Sequence, residues 1–574
     1  MKTIFFLPFF FLFFITLGCI HAQNTVSELN LDFEIVEYGI PKGWIIPPTQ
    51  EVSLDAVNVK SGKFSVVINC MEDSVFMPIG FVLQNIYEGE KVTLTGYIKT
   101  ESVIDGCAGL SINSFPTDDI IGVTGTTDWK KYELTVDFRQ TNFILIGGFL
   151  KGKGKVWFDD FNLYIDGENI IDIIEPAPKD ILSENEITAL KKYIYPLRTY
   201  EPDGGDTKDL AILDQLIGGS KVVGLGEVTH GSSEIFKMKN RIIQYLAAYN
   251  GFNIFSLEAN MPEAYRLNNY TVRGEGDPKK LIEDMYFWTW KTVEMLCLVE
   301  WMREFNQPKQ RIEYTGFDMQ YFEGAVYELI NGFKGNKDVE NKILFDLRIN
   351  LEEIKTQYNQ SQEFLFIDDS KMEEFNSIIS LIQDNIATSP FSVSKKEWLH
   401  QNTVIIQQYL GDYRRNTINW RDKCMADNLM WIKNHHPSSK IIIWAHNEHI
   451  KKTNQMMGAY LSQQLEDDYT TFGFAFYDGS FTAMGRTDIA VQAYPGTIEY
   501  LLEQINEPIF ILDLKKIKLD NLKETEWLTR RILMRRTGAK PGGYRHEFFQ
   551  GKITEEHDYL IFIKTSSPSQ PLWY

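Results

Sequence analysis

Four short apolar runs each end in a polar residue capable of chemistry, and that pattern constrains the fold more than any single motif. They extend from Lys221 to Glu227, Phe252 to Glu258, Ile312 to Asp318 and Lys440 to His446. Runs this short, rich in Val, Ile and Phe, suit strands buried on both faces, as in a parallel α/β sheet. Ligands of such sheets sit outside the carboxyl ends of the strands. Two Glu, one Asp and one His would gather on that rim, which predicts an enzyme.

The first two runs flank a helical stretch, Ser233 to Tyr249, closed by Asn250 and Gly251 as a helix C-terminus favours. A right-handed crossover through that helix would set the two strands parallel, giving one compact βαβ unit. Two helix-rich insertions then interrupt the sheet, around 277–306 and 321–435. The first carries Tyr286-Phe-Trp-Thr-Trp290 and Trp301; the second has helical periodicity through 340–357, 371–386 and 395–433. A helical insertion above the rim can roof a pocket for a bulky apolar ligand, while Trp and Phe at helical spacing also make plain core. Strands resume at 440–445, 471–476, 508–512 and 559–563.

Upstream, over 24–168, short alternating segments are separated by Gly, Asn and Asp, with no long helical period. That predicts an all-β domain of sandwich or jelly-roll type. Asn30-Leu-Asp-Phe-Glu34, Gly43-Trp44, Thr127-Asp-Trp-Lys130 and Trp157-Phe-Asp-Asp160 resemble the jelly-roll modules that accompany carbohydrate-active enzymes. A bound carbohydrate and a purely structural role both remain open there, since fold does not fix function. Glu175-Pro-Ala-Pro178 reads as a linker, which leaves 180–574 as the catalytic domain. Two or three domains are in any case expected of 574 residues, too many for one core.

The N-terminus has one Lys, an apolar stretch from Ile4 to Gly18 and a small-residue site, the pattern of a signal peptide over 1–22. The stretch is shorter than the roughly 20 apolar residues of a membrane-spanning helix. Cleavage after Ala22 would release an exported protein, periplasmic or extracellular, with no transmembrane span. Alternatively, Leu17-Gly18-Cys19 resembles a lipoprotein box, with Cys19 as the lipidated first residue. In an oxidising compartment Cys70 and Cys107 could pair, or both could be buried thiols. A net charge of −20 argues against a nucleic-acid partner, because phosphate binding needs clustered Lys and Arg.

Chemistry concentrates in Gly226-Glu227-Val228-Thr229-His230-Gly231-Ser232 and in Ala445-His446-Asn447-Glu448-His449. His230 lies in the turn before a helix, whose positive end disfavours the imidazolium and leaves a neutral ring able to take a proton from water. His446 comes directly off a buried run and should face the same rim, with His449 beside it if a helix begins there. Glu258 and Asp318 are carboxylates at buried strand ends, where each must be solvated or paired. Pairing with Lys239, Arg241 or Arg303 is the ordinary explanation of both. Glu227 and Thr229 have one too, as turn and capping residues.

Several segments together resemble the erythromycin esterase family. They are Gly226 to Gly231, Lys239-Asn-Arg241, Gly251-Phe252, Leu257-Glu-Ala259, Trp290 with Trp301 to Asn306, Gly316-Phe-Asp318, Arg421 with Met425-Ala426, and Trp444-Ala-His-Asn447 with His449. They follow the family's order across roughly 180–571. The resemblance implies hydrolysis of a carboxylic ester, with macrolide lactones as namesake substrates and antibiotic resistance as one possible outcome. His230 would be the general base, and Glu227, Glu258 and His446 would hold the water and the base and stabilise charge on the carbonyl. His449, Asp318, Lys239, Arg241 and Trp290 would support or bind substrate. No Gly-x-Ser-x-Gly elbow is present, so direct attack by water is favoured over an acyl-enzyme, and no cofactor is called for.

Two rival readings remain at this level. Glu227, His230, His446 and His449 offer the ligand types of a zinc hydrolase, although no His-Glu-x-x-His is present. A non-catalytic ligand- or polysaccharide-binding envelope protein would use the same pocket without turnover.

Overall fold

The computed structural model describes residues 29–573 apart from 38, 48–50, 72–75, 113–121, 139, 174–178, 203–205, 337–338, 362–366, 368, 415–418 and 540–546. The leader, Cys19 and the linker prolines lie outside the described residues. The chain divides into two compact units at Pro178/Lys179.

The first unit is all-β. Its strands pair antiparallel throughout, and the long strand Gln140–Ile165 pairs with Ser65–Cys70, Phe76–Glu88 and Lys91–Ile112. That strand links eight strands into one hydrogen-bonded network, where the sequence suggested two sheets. Alternation supplies the core: Leu94, Ile98, Ile146, Val156, Phe158 and Leu163 are buried around Phe33 and Trp44. Among the described residues no disulfide joins Cys70 to Cys107.

The second unit is built on a mixed sheet. Its strands are β1 (Ile194–Pro196), β2 (Val222–Leu225), β3 (Ile254–Asn260), β4 (Glu313–Asp318), β5 (Ile441–Trp444), β6 (Tyr469–Ala483), β7 (Ile509–Asp513) and β8 (Tyr559–Ser566). They lie in the order β1-β7-β8-β6-β2-β5-β3-β4, with Arg486–Ile489 hairpinned onto β6. From β8 to β4 every neighbour is parallel, whereas β7 runs antiparallel to both β8 and β1. An all-parallel sheet was therefore the wrong expectation at one edge. An apolar run has the same look in either orientation, so its direction is set by the connection and not by its composition. The four runs singled out in the sequence are β2, β5, β3 and β4, side by side and parallel.

Helices cover both faces of this sheet, and each face has its own apolar core. Those used below are α1 (Ser233–Tyr249), α2 (Met261–Arg273), α3 (Val293–Phe305), α4 (Val393–Arg414), α5 (Trp420–His435) and the single turn α6 (Asn447–Ile450). The helical pattern over 395–433 is thus two helices, α4 and α5. In the first insertion, α3 buries Met295, Leu298, Val299 and Met302 in the core beside α1 instead of roofing the rim. Among the described residues no helix is long and apolar enough to cross a membrane.

Candidate active site

The site forms where β2 ends. Leu225 is the last residue of the strand, and Gly226 then passes so close to Asn447 that a Cβ there would lie 2.1 Å from its Oδ1. Only glycine fits, and the chain turns inward with Glu227 completely buried. Ser232 caps α1, its hydroxyl accepting from the Ile235 N–H, and so fixes the loop that presents His230. The backbone of Thr229 is bridged to Gly538, which steadies the loop from the other side.

Glu227 is the hub. Its Oε1 lies 2.7 Å from His230 Nδ1, while Oε2 accepts from Lys239 Nζ at 2.8 Å and from Trp444 Nε1 at 2.7 Å. Burial alone would raise the carboxyl pKa, but Lys239 and His230 outweigh it and hold the pKa below its ordinary value. An ionised carboxylate only accepts, so His230 carries a proton on Nδ1, and Nε2 is the ring nitrogen that Glu227 does not hold. The ring keeps 15% of its side-chain surface exposed, against none for its glutamate. Lys239 is equally enclosed, with its ammonium 4.4 Å from the centre of the Trp444 ring. Burial lowers its pKa to about 8, against the pull of Glu227.

Glu258, at the end of β3, anchors a second cluster. Its Oε2 accepts the His446 backbone N–H at 2.9 Å, and its Oε1 accepts from Arg421 Nη2 at 2.8 Å. Arg421 also forks onto Asp318, with Nε to Oδ1 at 3.1 Å and Nη2 to Oδ2 at 2.7 Å. His449 lies 2.8 Å from Asp422 through Nδ1, while its Nε2 faces Glu258 Oε1 at 3.3 Å and Arg421 Nη1 at 3.0 Å. Burial would lower the pKa of His449, but Glu258 and Asp422 outweigh both burial and the guanidinium and raise it to about 10. Glu258 is held well below the ordinary range: burial opposes ionisation, and His449 and Arg421 overcome it. Trp290 donates its Nε1–H to the Glu258 carbonyl at 3.2 Å and stands edge-on to His230, ring centres 6.4 Å apart.

His446 lies between the clusters, its ring centre 5.1 Å from that of His230. Its Nδ1 accepts the Glu448 N–H at the start of α6, and its Nε2 lies 3.2 Å from the Val228 carbonyl. The carbonyl can only accept, so Nε2 bears the proton and the ring is neutral. Burial lowers its pKa to about 4, with His230 adding to the effect.

Seven of the eight supporting or reacting residues around His230 therefore meet at one rim: Glu227, Glu258, His446, His449, Asp318, Lys239 and Trp290. Arg241 does not. Two residues apart on a helix point about 200° apart, so with Lys239 turned inward Arg241 faces away. It pairs with Asp209 at 2.6 Å and donates to the carbonyls of Thr199 and Asp206. Arg303 is likewise absent from Glu258 and Asp318, donating to the Val272 carbonyl. The cation both carboxylates use is Arg421. The family resemblance included Arg421 without giving it a partner, and two buried carboxylates with no cation left for them were the signal that it belonged here. Asp422, which lies on His449, was missed, since no local spacing announces it. The zinc set meets at this rim, but most of its ligand atoms are taken: Lys239 and Trp444 occupy one oxygen of Glu227 and His230 lies on the other, both nitrogens of His446 are engaged within the protein, and His449 faces Asp422. Among the described residues no three His, Cys, Asp or Glu side chains are arranged to hold a metal ion.

A buried glutamate fixing a histidine, at the carboxyl ends of parallel strands, is an arrangement that can take up and return a proton. Comparison with known proteins narrows the class: the erythromycin esterase family model matches residues 247–566, more than half of the chain, and the chain belongs to that family. The matched stretch begins after His230 and takes in Glu258, Asp318, Arg421, His446 and His449. Two curated relatives are a putative hydrolase, YbfO, of Bacillus subtilis and an erythromycin esterase type II of Escherichia coli. The first is 24% identical over 66% of this chain and 91% of its own length; the second is 26% identical over 50% and 76%. A solved protein of Bacillus cereus matches 67% of this chain and 98% of its own at 25% identity, with a TM-score of 0.58. An erythromycin esterase variant, EreC in its open conformation, shares the fold over 66% of this chain and all of its own, with a TM-score of 0.51 and 16% identity.

Proposed function

We propose that this protein hydrolyses a carboxylic ester by direct attack of water, with His230 as general base. The observation that carries the reading is the Glu227–His230 pair: Nδ1 is fixed on a buried carboxylate and Nε2 is left to take a proton. In the proposed cycle, water loses that proton to Nε2 as its oxygen bonds the carbonyl carbon. The imidazolium, stabilised by Glu227, then returns the proton to the departing alkoxide. Lys239 and Trp444 hold Glu227, and Trp290 and His446 wall the base. Arg421 and His449 hold Glu258, whose carboxylate in turn fixes the backbone of His446 beside the base.

A macrolide lactone is the specific ester suggested by the relatives' names, and the apolar leader over 1–22 supports export, by cleavage after Ala22 or by lipidation of Cys19. The test is hydrolysis of aryl esters and macrolides by purified protein, with His230→Ala and a chelator-treated sample in parallel. Turnover abolished in His230→Ala and indifferent to chelation is expected. Loss on chelation alone would favour the zinc reading, and a ligand bound but never turned over would favour the envelope-binding reading.

A further inference from the structure

A second cavity lies far from the rim, where α2, α4 and α5 stand against the edge strand β4. It encloses about 410 Å³, within the range of small-molecule sites. Along its wall runs a ladder of rings. Tyr265 and Trp398 lie 4.4 Å apart, Trp398 and Trp431 6.4 Å, and Trp431 and His435 4.0 Å, each ring tilted on the next. Tyr265, Trp398 and Trp431 are only half-buried, so the ladder is not sealed core. Around it stand polar groups: Asn268, Gln310 and Glu313 on one side, Glu397 on the other. Asn268 accepts the Tyr314 N–H through Oδ1 at 2.9 Å, which leaves its NH2 to donate. Gln310 is held on Glu313 at 2.9 Å.

We propose that this cleft is a second binding site, and that its ligand is a neutral saccharide. A purely apolar ligand would strand the amides and carboxylates that line it. A small ion would have no use for four rings. A pyranose presents C–H faces to stack on rings and hydroxyl edges for planar polar side chains, and it meets both demands. Neutrality follows from charge: Arg273 is outnumbered by Glu313 and Glu397 in the cleft, and the whole chain carries −20.

The site is separate from the catalytic rim. Arg421 is in the first turn of α5, whereas Trp431 and His435 lie 10 and 14 residues on, about 15–21 Å along the helix at 1.5 Å per residue. The inference does not depend on which ester is cleaved, nor on whether one is.

Isothermal titration of the full chain with cellobiose, lactose and maltose, and with glucuronate as the acidic comparator, tests it. Neutral disaccharides should bind and glucuronate should not. Trp431→Ala should weaken binding about tenfold, the worth of one ring contact. Gln310→Ala, at an exposed rim position, should weaken it less without disturbing the fold. His230→Ala should bind as the parent does, and thermal melting should confirm that each variant is folded. Binding by no neutral disaccharide, preference for glucuronate, or affinity unchanged in both Trp431→Ala and Gln310→Ala would overturn the proposal, the last by moving the sugar to another part of the chain.

Discussion

Glu227 and Glu258 end parallel strands separated only by β5, both are buried, and both are held ionised, yet they do opposite things. Glu227 spends one oxygen on Lys239 and Trp444 and the other on a histidine whose far nitrogen remains open. Glu258 is closed in on every side, by Arg421, His449 and the backbone of His446. On the proposed reading the first half of the rim passes a proton, while the second keeps charge in place. Two carboxylates in similar strand positions acquire different roles because of what the neighbouring helices bring: a lysine from inside α1, and an arginine from the first turn of α5.

The most severe test of that contrast is His230→Ala. Turnover should fall about 10²–10⁴-fold, the range of a lost general base, while thermal stability stays close to the parent's. Turnover that survives would place the base elsewhere on the rim. Arg421→Ala should act chiefly on stability. It strands Glu258 and Asp318 together, at a cost of about 3 kcal/mol, readable in urea unfolding. If unfolding is unchanged, the second cluster is not the electrostatic anchor described here. Glu227→Gln keeps the shape of the first cluster but frees His230 to adopt the wrong tautomer, so kcat should drop by up to about 10⁴-fold with KM little altered.

The pH dependence of stability separates the clusters further. His449 titrates higher in the folded protein, about 10, than in the unfolded chain. Its stabilising contribution is therefore complete below the unfolded pKa of about 6.5 and is lost as pH climbs toward 10. The stability gap between parent and His449→Gln should narrow over that window, and a gap that widens would reverse the assignment. Glu227 and Glu258, with depressed pKa values, contribute above the unfolded carboxyl pKa and lose that contribution as pH falls. The smallest effect on turnover is expected from Arg241→Ala, which should leave kcat unaltered and cost about 2 kcal/mol of stability through Asp209. A large loss of kcat in a well-folded Arg241→Ala would mean that both faces of α1 serve the site.

Strand ends were the legible part of this molecule. The apolar runs before Glu227, Glu258, Asp318 and His446 are short and unbroken because both faces of those strands are covered, and this forces any polar residue to the end. The helix from Ser233 to Tyr249 was equally plain, closed by Asn250 and Gly251. Strand direction was not legible, since β7 reads like its parallel neighbours. Arg421 was among the residues of the family resemblance, but its partners were not legible: it meets Glu258 across 163 residues and sits where a long helical pattern divides into α4 and α5. Long-range ion pairs leave no local trace. Arg241 misled because a residue two places from Lys239 in sequence lies on the opposite side of its helix.

The enclosure of Lys239 has a chemical consequence. Its ammonium has no exposed surface, packed among Glu227, Trp444 and Phe474. An amine-reactive reagent would label the exposed lysines freely, but would reach Lys239 only in molecules whose rim had come apart. The rate at which that one amine is modified is then a clock for the opening of this rim.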